Sequence, residues 1–298
     1  MISVEDWHQR AKFKEFGGHK IATWSSKPEN DQNEQKPWLL LIHGYPTSSW
    51  DWSFSWSALE QHFNLAALDM VGFGYSAKPR RHHYTISEQT DLQEALLEDL
   101  GVSEAHIFTH DYGNTVGQEL LARHHEGVLS FKPKTMCFLN GGLFPEQHRA
   151  RLLQKLGLTP LGPLLGLMLS KERLRTSFDE IFGPETKASD QEISAHWQLI
   201  NENDGAKVLH RLLQYIPERR AHRERWVGAL QTTKVPLRLI DGGFDPVSGK
   251  HLYNYYKELV PSPDAILLPE IGHYPHTEDT ETVLSHFFDF HRNAGTLK

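Results

Sequence analysis

The sequence predicts an α/β fold: a mostly parallel, eight-stranded sheet flanked by helices, with an all-helical cap inserted into it. Three observations lead there. Short unbroken apolar runs alternate with stretches of helical period, the pattern of parallel strands joined by helical crossovers. From Gly142 to Leu230 strand-like runs disappear, and apolar residues such as Leu152, Leu153 and Leu156 recur only at helical spacing. Ahead of that change, an apolar run stops at one acidic residue, Asp111, followed by Gly113 and a helical pattern.

The elements follow in chain order. With 298 residues, 39% of them hydrophobic, the chain suits one large domain carrying an insertion. A polar stretch from Lys27 to Lys36 reads as a loop between two early strands. Trp38 to Ile42 is apolar throughout, as expected of a strand covered on both faces. The strand Asn64 to Leu68 runs into Asp69 and the glycine-rich turn Val71 to Ser76. Ser87 to Leu100 has helical spacing and is closed by Gly101. Next come a strand at Ile107 to Thr109, the turn at Asp111, a helix to about Arg123 and a strand at Thr135 to Leu139. After the insertion, strands are expected at Leu237 to Ile240 and Ala265 to Leu268, with helices at His251 to Leu259 and Glu281 to Phe290. The core is thus residues 1–141 and 231–298, and the cap is residues 142–230, inserted after the sixth strand.

Composition narrows the function. A net charge of -7 argues against a nucleic-acid surface, which needs a concentrated positive field. The single cysteine, Cys137, sits in an apolar run and reads as core packing in a reducing compartment. The first residues (Glu5, Asp6, His8, Arg10, Lys12) form no apolar leader, so a cytoplasmic location is expected. The most apolar segment, Pro160 to Leu169, is about half a bilayer span and contains Pro and Gly. It reads as a lid over a greasy pocket, with membrane contact as the minor reading. No metal is expected: there are 19 histidines but no His-Glu-x-x-His, and the pairs His82-His83 and His124-His125 are adjacent rather than convergent. The basic run Arg219 to Arg225 reads as an exposed cap helix, and Gly72-Phe73-Gly74 lacks the third glycine of a dinucleotide turn.

In an open parallel sheet, reactive groups gather at the carboxyl ends of strands. Four such ends here carry His43-Gly44-Tyr45-Pro46, Asp111, Asp245 and His273. Taken singly, an aspartate ahead of a helix is a cap and a Gly-His pair is a turn. Their order of nucleophile, acid, histidine is instead that of an α/β-hydrolase, with aspartate where an esterase carries serine. An ionised Asp111 attacks saturated carbon and forms an ester of the enzyme itself. Amides of Tyr112 and Tyr45 then hold the developing negative oxygen, His273 takes a proton from water, and Asp245 orients the ring. Glycines 113 and 117 let the following helix lie close to the sheet.

These residues resemble the epoxide hydrolase and haloalkane dehalogenase branch of the α/β-hydrolase fold, and within it the group of the mesoderm-specific transcript protein. The resemblance rests on His43-Gly44-Tyr45-Pro46-Thr47-Ser48, Gly72 to Pro79, His110-Asp111-Tyr112-Gly113, Asn140 to Glu146, Leu213 to Ile216, Arg225 to Leu230, Asp245-Pro246-Val247 and His273-Tyr274-Pro275. It spans roughly residues 15 to 292. It implies a nucleophilic Asp111, a relay of Asp245 and His273, an oxyanion hole at Tyr45 and Tyr112, and no cofactor. Dehalogenases place tryptophan where this chain has Tyr112, and often asparagine where it has Tyr45. Epoxide hydrolases protonate the ring oxygen with cap tyrosines, often two, and the cap here has one, Tyr215, which is assigned as the acid although cap packing explains it equally well. His43, Tyr45, Tyr112, Trp197 and Trp226 are assigned to substrate binding, the two tryptophans as halide donors that core packing explains equally well. The expected partner is a small lipophilic substrate. An epoxide is the leading class, a haloalkane the runner-up, and a ligand-binding protein on a hydrolase scaffold the rival of another kind.

Overall fold

Apolar runs without polar interruption form the centre of the sheet. The computed structural model describes residues 1–27 and 36–297, so most of the polar stretch between the early strands lies outside the described residues. Its strands are β1 (Lys12–Phe16), β2 (His19–Ser25), β3 (Trp38–Ile42), β4 (Asn64–Leu68), β5 (Glu104–Thr109), β6 (Lys132–Phe138), β7 (Leu237–Gly242) and β8 (Ala265–Leu268). They form one sheet in the order β1-β2-β4-β3-β5-β6-β7-β8. β2 pairs antiparallel with β1 and β4, and every other pairing is parallel. The runs Leu39 to Ile42 and Leu65 to Leu68 are fully buried, as a sheet covered on both faces requires.

Helices begin and end where local chemistry dictates. Helix Ile86–Asp99 starts at Thr85, whose hydroxyl accepts the Glu88 amide, and Gly101 follows it at φ 68°. Helix Tyr112–Glu126 ends at Gly127 in the left-handed conformation, with Arg123, His124 and His125 in its last turn, where positive charge suits the helix dipole. Its other end must lie against the sheet: a methyl on Gly113 would stand 2.6 Å from the Ile42 carbonyl oxygen and 2.7 Å from that of His43. Cys137 is fully buried in β6 and unpaired.

Three strands are longer than their apolar runs, β7 reaching Gly242 beyond the run that ends at Ile240. β5 begins at Glu104 because His106 is buried despite its polarity: its Nδ1 pairs with Thr135 at 2.8 Å and its ring packs on Phe63 and His291. β6 begins at Lys132, on the surface side of the run that predicted it.

Between β6 and β7 the described residues form helices only, the longest being Lys171–Ile181, Asp190–Asn201 and Arg223–Thr232. Polar groups fasten these to the sheet domain. The buried ammonium of Lys78 donates to the carbonyls of Gly74 (2.6 Å), Leu199 (3.2 Å) and Glu202 (2.6 Å), and burial draws its pKa down to about 8. Glu218 accepts the Ile86 amide, and Glu119 accepts from both Arg225 and the Trp226 indole. Most of the basic run 219–225 lies on the surface as expected, with Arg220, His222 and Glu224 exposed, but Arg219 is buried, and a break at His222 divides helix Tyr215–Ala221 from the next. Sequence composition gave no sign of this, because the acceptors for Arg219 lie far away in the chain. Among the described residues no helix is long and apolar enough to cross a membrane.

Gly113→Ala pushes a methyl into two carbonyls and should cost about 1–3 kcal/mol. Gly117→Ala should be near neutral, since its closest neighbour is the flexible Met136 sulfur at 3.2 Å and alanine favours the helix by about 1 kcal/mol. Urea melts of the two variants check the contrast.

Candidate active site

The turn after β5 holds Asp111 at φ 47°, ψ -105°, a conformation that non-glycine residues rarely occupy. Its surroundings enforce it. The Asp111 amide donates to the Asn140 carbonyl (2.8 Å), and the Gly113 amide donates to that of His110 (2.8 Å). Two glycines leave the necessary room: a methyl on Gly44 would come within 2.7 Å of the Asp111 Cβ, and one on Gly141 within 2.6 Å of its Cα. From behind, Arg219 donates to the Asp111 carbonyl (3.2 Å) and to the Thr115 hydroxyl (2.6 Å). The carboxylate so placed has its Oδ2 on the backbone amide of Tyr45 at 3.0 Å. Tyr112 is the first residue of the helix, so its amide has no acceptor within that helix.

Asp111 Oδ1 lies 3.8 Å from His273 Nε2, and His273 Nδ1 lies 2.7 Å from Asp245 Oδ2. One water touching both Oδ1 and Nε2 fits that gap. Asp245 also accepts from the Ser248 amide and hydroxyl, the Val247 amide and Asn140 Nδ2. Burial alone would raise its pKa, but the His273 charge and these hydrogen bonds hold it well below the usual carboxylate range. Burial alone would likewise lower the pKa of His273. The charge of Asp245, its hydrogen bond and the charge of Asp111 overcome this and push it up to about 9. The His273 backbone is pinned on both sides, its amide donating to Ile181 and its carbonyl accepting from His110 Nε2 at 2.8 Å.

A cavity of about 160 Å³ opens above Asp111 and His273. Its wall is largely apolar, with Leu169, Leu174, Phe178, Ile181, Ile200, Leu209 and Val247, joined by Tyr45, Arg151, Gln154 and Tyr274. Beneath His273 lies a buried group of Asp51, His110, His196 and His276. Burial lowers the pKa of all three imidazoles, so the rings are neutral neighbours of the charged one.

Residues 37–134 match the alpha/beta hydrolase fold family. The chain is 40% identical over 300 residues to the mesoderm-specific transcript homolog protein of Bos taurus, covering 97% of this chain and 88% of that one. The chain belongs to the α/β-hydrolase family. A LipZ hydrolase of Mycobacterium tuberculosis is 34% identical over 279 residues, 93% of each chain. Among solved structures, haloalkane dehalogenase DbeA from Bradyrhizobium elkani superposes with a TM-score of 0.77 at 18% identity, covering 96% of this chain and 98% of that one. Epoxide hydrolase CorEH gives 0.75 at 17%, over 95% and 98%. At such identities the two share the fold of this α/β-hydrolase and do not choose between its chemistries.

The structure brings together Asp111, Asp245, His273 and Tyr45. Tyr112 and Tyr215 lie close behind, their rings 5.0 Å apart, and both phenols are kept neutral by burial. Neither ring is part of the cavity lining; the Tyr215 hydroxyl lies 3.5 Å from the side-chain nitrogen of Gln154, which is. Three assignments need correction. His43 is a brace, not a substrate contact: its Nδ1 donates to the Gly44 carbonyl and its Nε2 accepts the Met70 amide, leaving no free nitrogen. Trp226 spends its indole N–H on Glu119 at 2.7 Å, and neither it nor Trp197 lines the cavity. Helical spacing cannot tell which face of a helix meets the pocket. Sequence reading also passed over Asn140 as a site residue. Its side chain clasps Gly242 through both backbone atoms and supports Asp245, and its place at the carboxyl end of β6 was the available signal.

His273 binds its proton more tightly folded than unfolded, where histidine titrates near about 6.5. This contribution to stability is complete below about pH 6.5 and is lost as pH rises through about 9. Asp245→Asn removes the main raising charge, so the His273 titration should move down and the alkaline loss should shrink. Imidazole NMR titration and urea melts across this pH range measure both.

Proposed function

We propose that this α/β-hydrolase opens epoxides to diols through an ester formed on Asp111, with the helices between β6 and β7 serving as the cap over the site. The observation that carries this reading is the row Asp245–His273–Asp111 beneath an apolar cavity, with aspartate where a serine would make acyl transfer. A lone pair on Asp111 Oδ1 forms a bond to a ring carbon, and the carbon–oxygen bond of the ring breaks toward oxygen. Tyr215 supplies the proton to that oxygen, with the phenol of Tyr45 beside it at a ring separation of 6.2 Å. Oδ2 already sits on the Tyr45 amide, where it becomes the carbonyl oxygen of the ester.

The ester has no charge, and this sets the order of events. The carboxylate of Asp111 helps hold the proton on His273; once alkylated, it no longer does. His273 then passes that proton back to the phenolate that Tyr215 has become, and is left as a base for water. Water attacks the ester carbonyl while its proton passes to Nε2, the oxyanion gathers at the Tyr45 and Tyr112 amides, and collapse frees the diol. The second proton of the water passes to the departing alkoxide, so Asp111 ends ionised and His273 protonated, as at the start. A haloalkane could be attacked by the same carboxylate. Among the described residues, however, no indole N–H faces the cavity to take up a halide.

His273→Gln incubated with an epoxide should accumulate a mass adduct on the peptide bearing Asp111, while the wild type turns over. Consumption of substrate by the wild type with no adduct in the variant contradicts the ester. Asp111→Ala should lower kcat by about 10⁴-fold with the fold intact by circular dichroism. Tyr215→Phe should slow ester formation from epoxides by about 10²-fold, yet leave attack on an alkyl chloride nearly unchanged, because chloride needs no proton. Stopped-flow single turnovers separate these outcomes, and halide release with no diol from any epoxide favours the dehalogenase reading.

A further inference from the structure

We propose that the face formed by residues 149–171 docks onto an anionic lipid surface, so that the cavity receives its lipophilic substrate from the bilayer. From Gln147 to Lys171 the chain has no acidic residue but carries Arg149, Arg151, Lys155 and Lys171, in a protein whose net charge is -7. Here, too, the structure leaves apolar side chains in solvent. Leu152 is 83% exposed, Leu161 55%, Leu164 49% and Met168 45%. Leu152, Leu164 and Met168 sit on the elements Leu152–Gly157, Gly162–Leu164 and Leu165–Met168, with Leu161 in the turn before the second, and these elements pack against one another and so make one surface.

Positive charge borders this patch, and although Arg151 pairs with Glu180 and Lys171 lies beside Glu172, the other cations are free of carboxylates among the described residues. Among the described residues Arg149 and Lys155 are exposed and meet no carboxylate. At the opposite edge Lys171 and Arg173 spend their hydrogen bonds on neutral oxygens, the Ser194 hydroxyl and the Met168 carbonyl. Exposed leucines flanked by the uncompensated Arg149 and Lys155 match acyl chains beneath phosphate headgroups. An acidic body behind a basic face also fixes the orientation, because an anionic surface attracts one side and repels the other. That orientation has a use: Met168, Leu169 and Arg173 line the cavity above Asp111, so the patch leads into the apolar pocket. The helices here are short, so the face rests on the bilayer and does not span it.

Binding is separable from the chemistry proposed for Asp111 and is tested without turnover. The intact protein is floated with phosphatidylcholine vesicles that contain or lack phosphatidylglycerol. It should rise with the anionic vesicles, rise far less with the neutral ones, and be released by salt. The variants Leu161→Glu/Leu164→Glu and Arg149→Glu/Lys155→Glu should each lose roughly tenfold in partitioning. All four positions lie outside the cavity lining, so the rate on a water-soluble substrate without vesicles should be unchanged. Failure of the wild type to float with anionic vesicles overturns the inference, as does flotation that ignores lipid charge or survives both variants. A patch that instead joins two copies of the chain would show as a dimer in light scattering that the leucine variant dissociates, and that result overturns it too.

Discussion

A single buried imidazolium between two buried carboxylates is the interaction on which the site depends. Each carboxylate would be costly alone in an apolar surround, and so would the ring. Together they alternate in sign along one line, and Asp245 is further relieved by four hydrogen-bond donors besides the ring. Asp111, at the other end, has fewer such supports and more open space, with one oxygen on the Tyr45 amide and the other facing the cavity. The unequal surroundings suit unequal tasks. One carboxylate is fixed as an orienter, and the other keeps an oxygen free to react.

The fold produces this inequality by bringing the ends of β5, β6, β7 and β8 to one edge. Asp245 follows β7 and His273 follows β8, with Asn140 after β6 binding the β7 end and Asp245 together. Asp111 rises from β5 only because its backbone accepts a strained conformation, held from one side by the sheet and from the other by Arg219. That guanidinium belongs to the helical insertion and also stacks on the Tyr215 ring at 4.4 Å. The insertion therefore does more than roof the cavity. It touches the turn that carries the carboxylate, so displacement of helix Tyr215–Ala221 would disturb Asp111 through its own carbonyl.

How much of this could be read beforehand depended on whether a signal was local. Trp38–Ile42, Asn64–Leu68 and Ala265–Leu268 match their strands residue for residue, because an unbroken apolar run states its own boundaries. The run at β5 was cut short at His106, since burial of an imidazole is decided by Thr135, Phe63 and His291 from elsewhere in the chain. Asp111, Asp245 and His273 were legible because strand ends and chain order mark them. Arg219, Trp226 and His43 were misread for one shared reason: each is a polar group whose partner is remote in sequence, and type and spacing carry no record of a remote partner.

The neutral imidazoles beneath His273 make the charge change proposed for Asp111 consequential. His110, His196 and His276 are near enough to repel an imidazolium if they became charged, and desolvation keeps them uncharged. In water, the loss of one carboxylate charge 3.8 Å away would be screened to a small effect. Around this buried ring, with neutral imidazoles below and a largely apolar wall above, the same loss is screened less and loosens the hold of His273 on its proton. In the proposed mechanism the ring would then change from an acid with its proton held from both sides to a base oriented by Asp245. Esterification of Asp111 would thereby create the group that removes the ester.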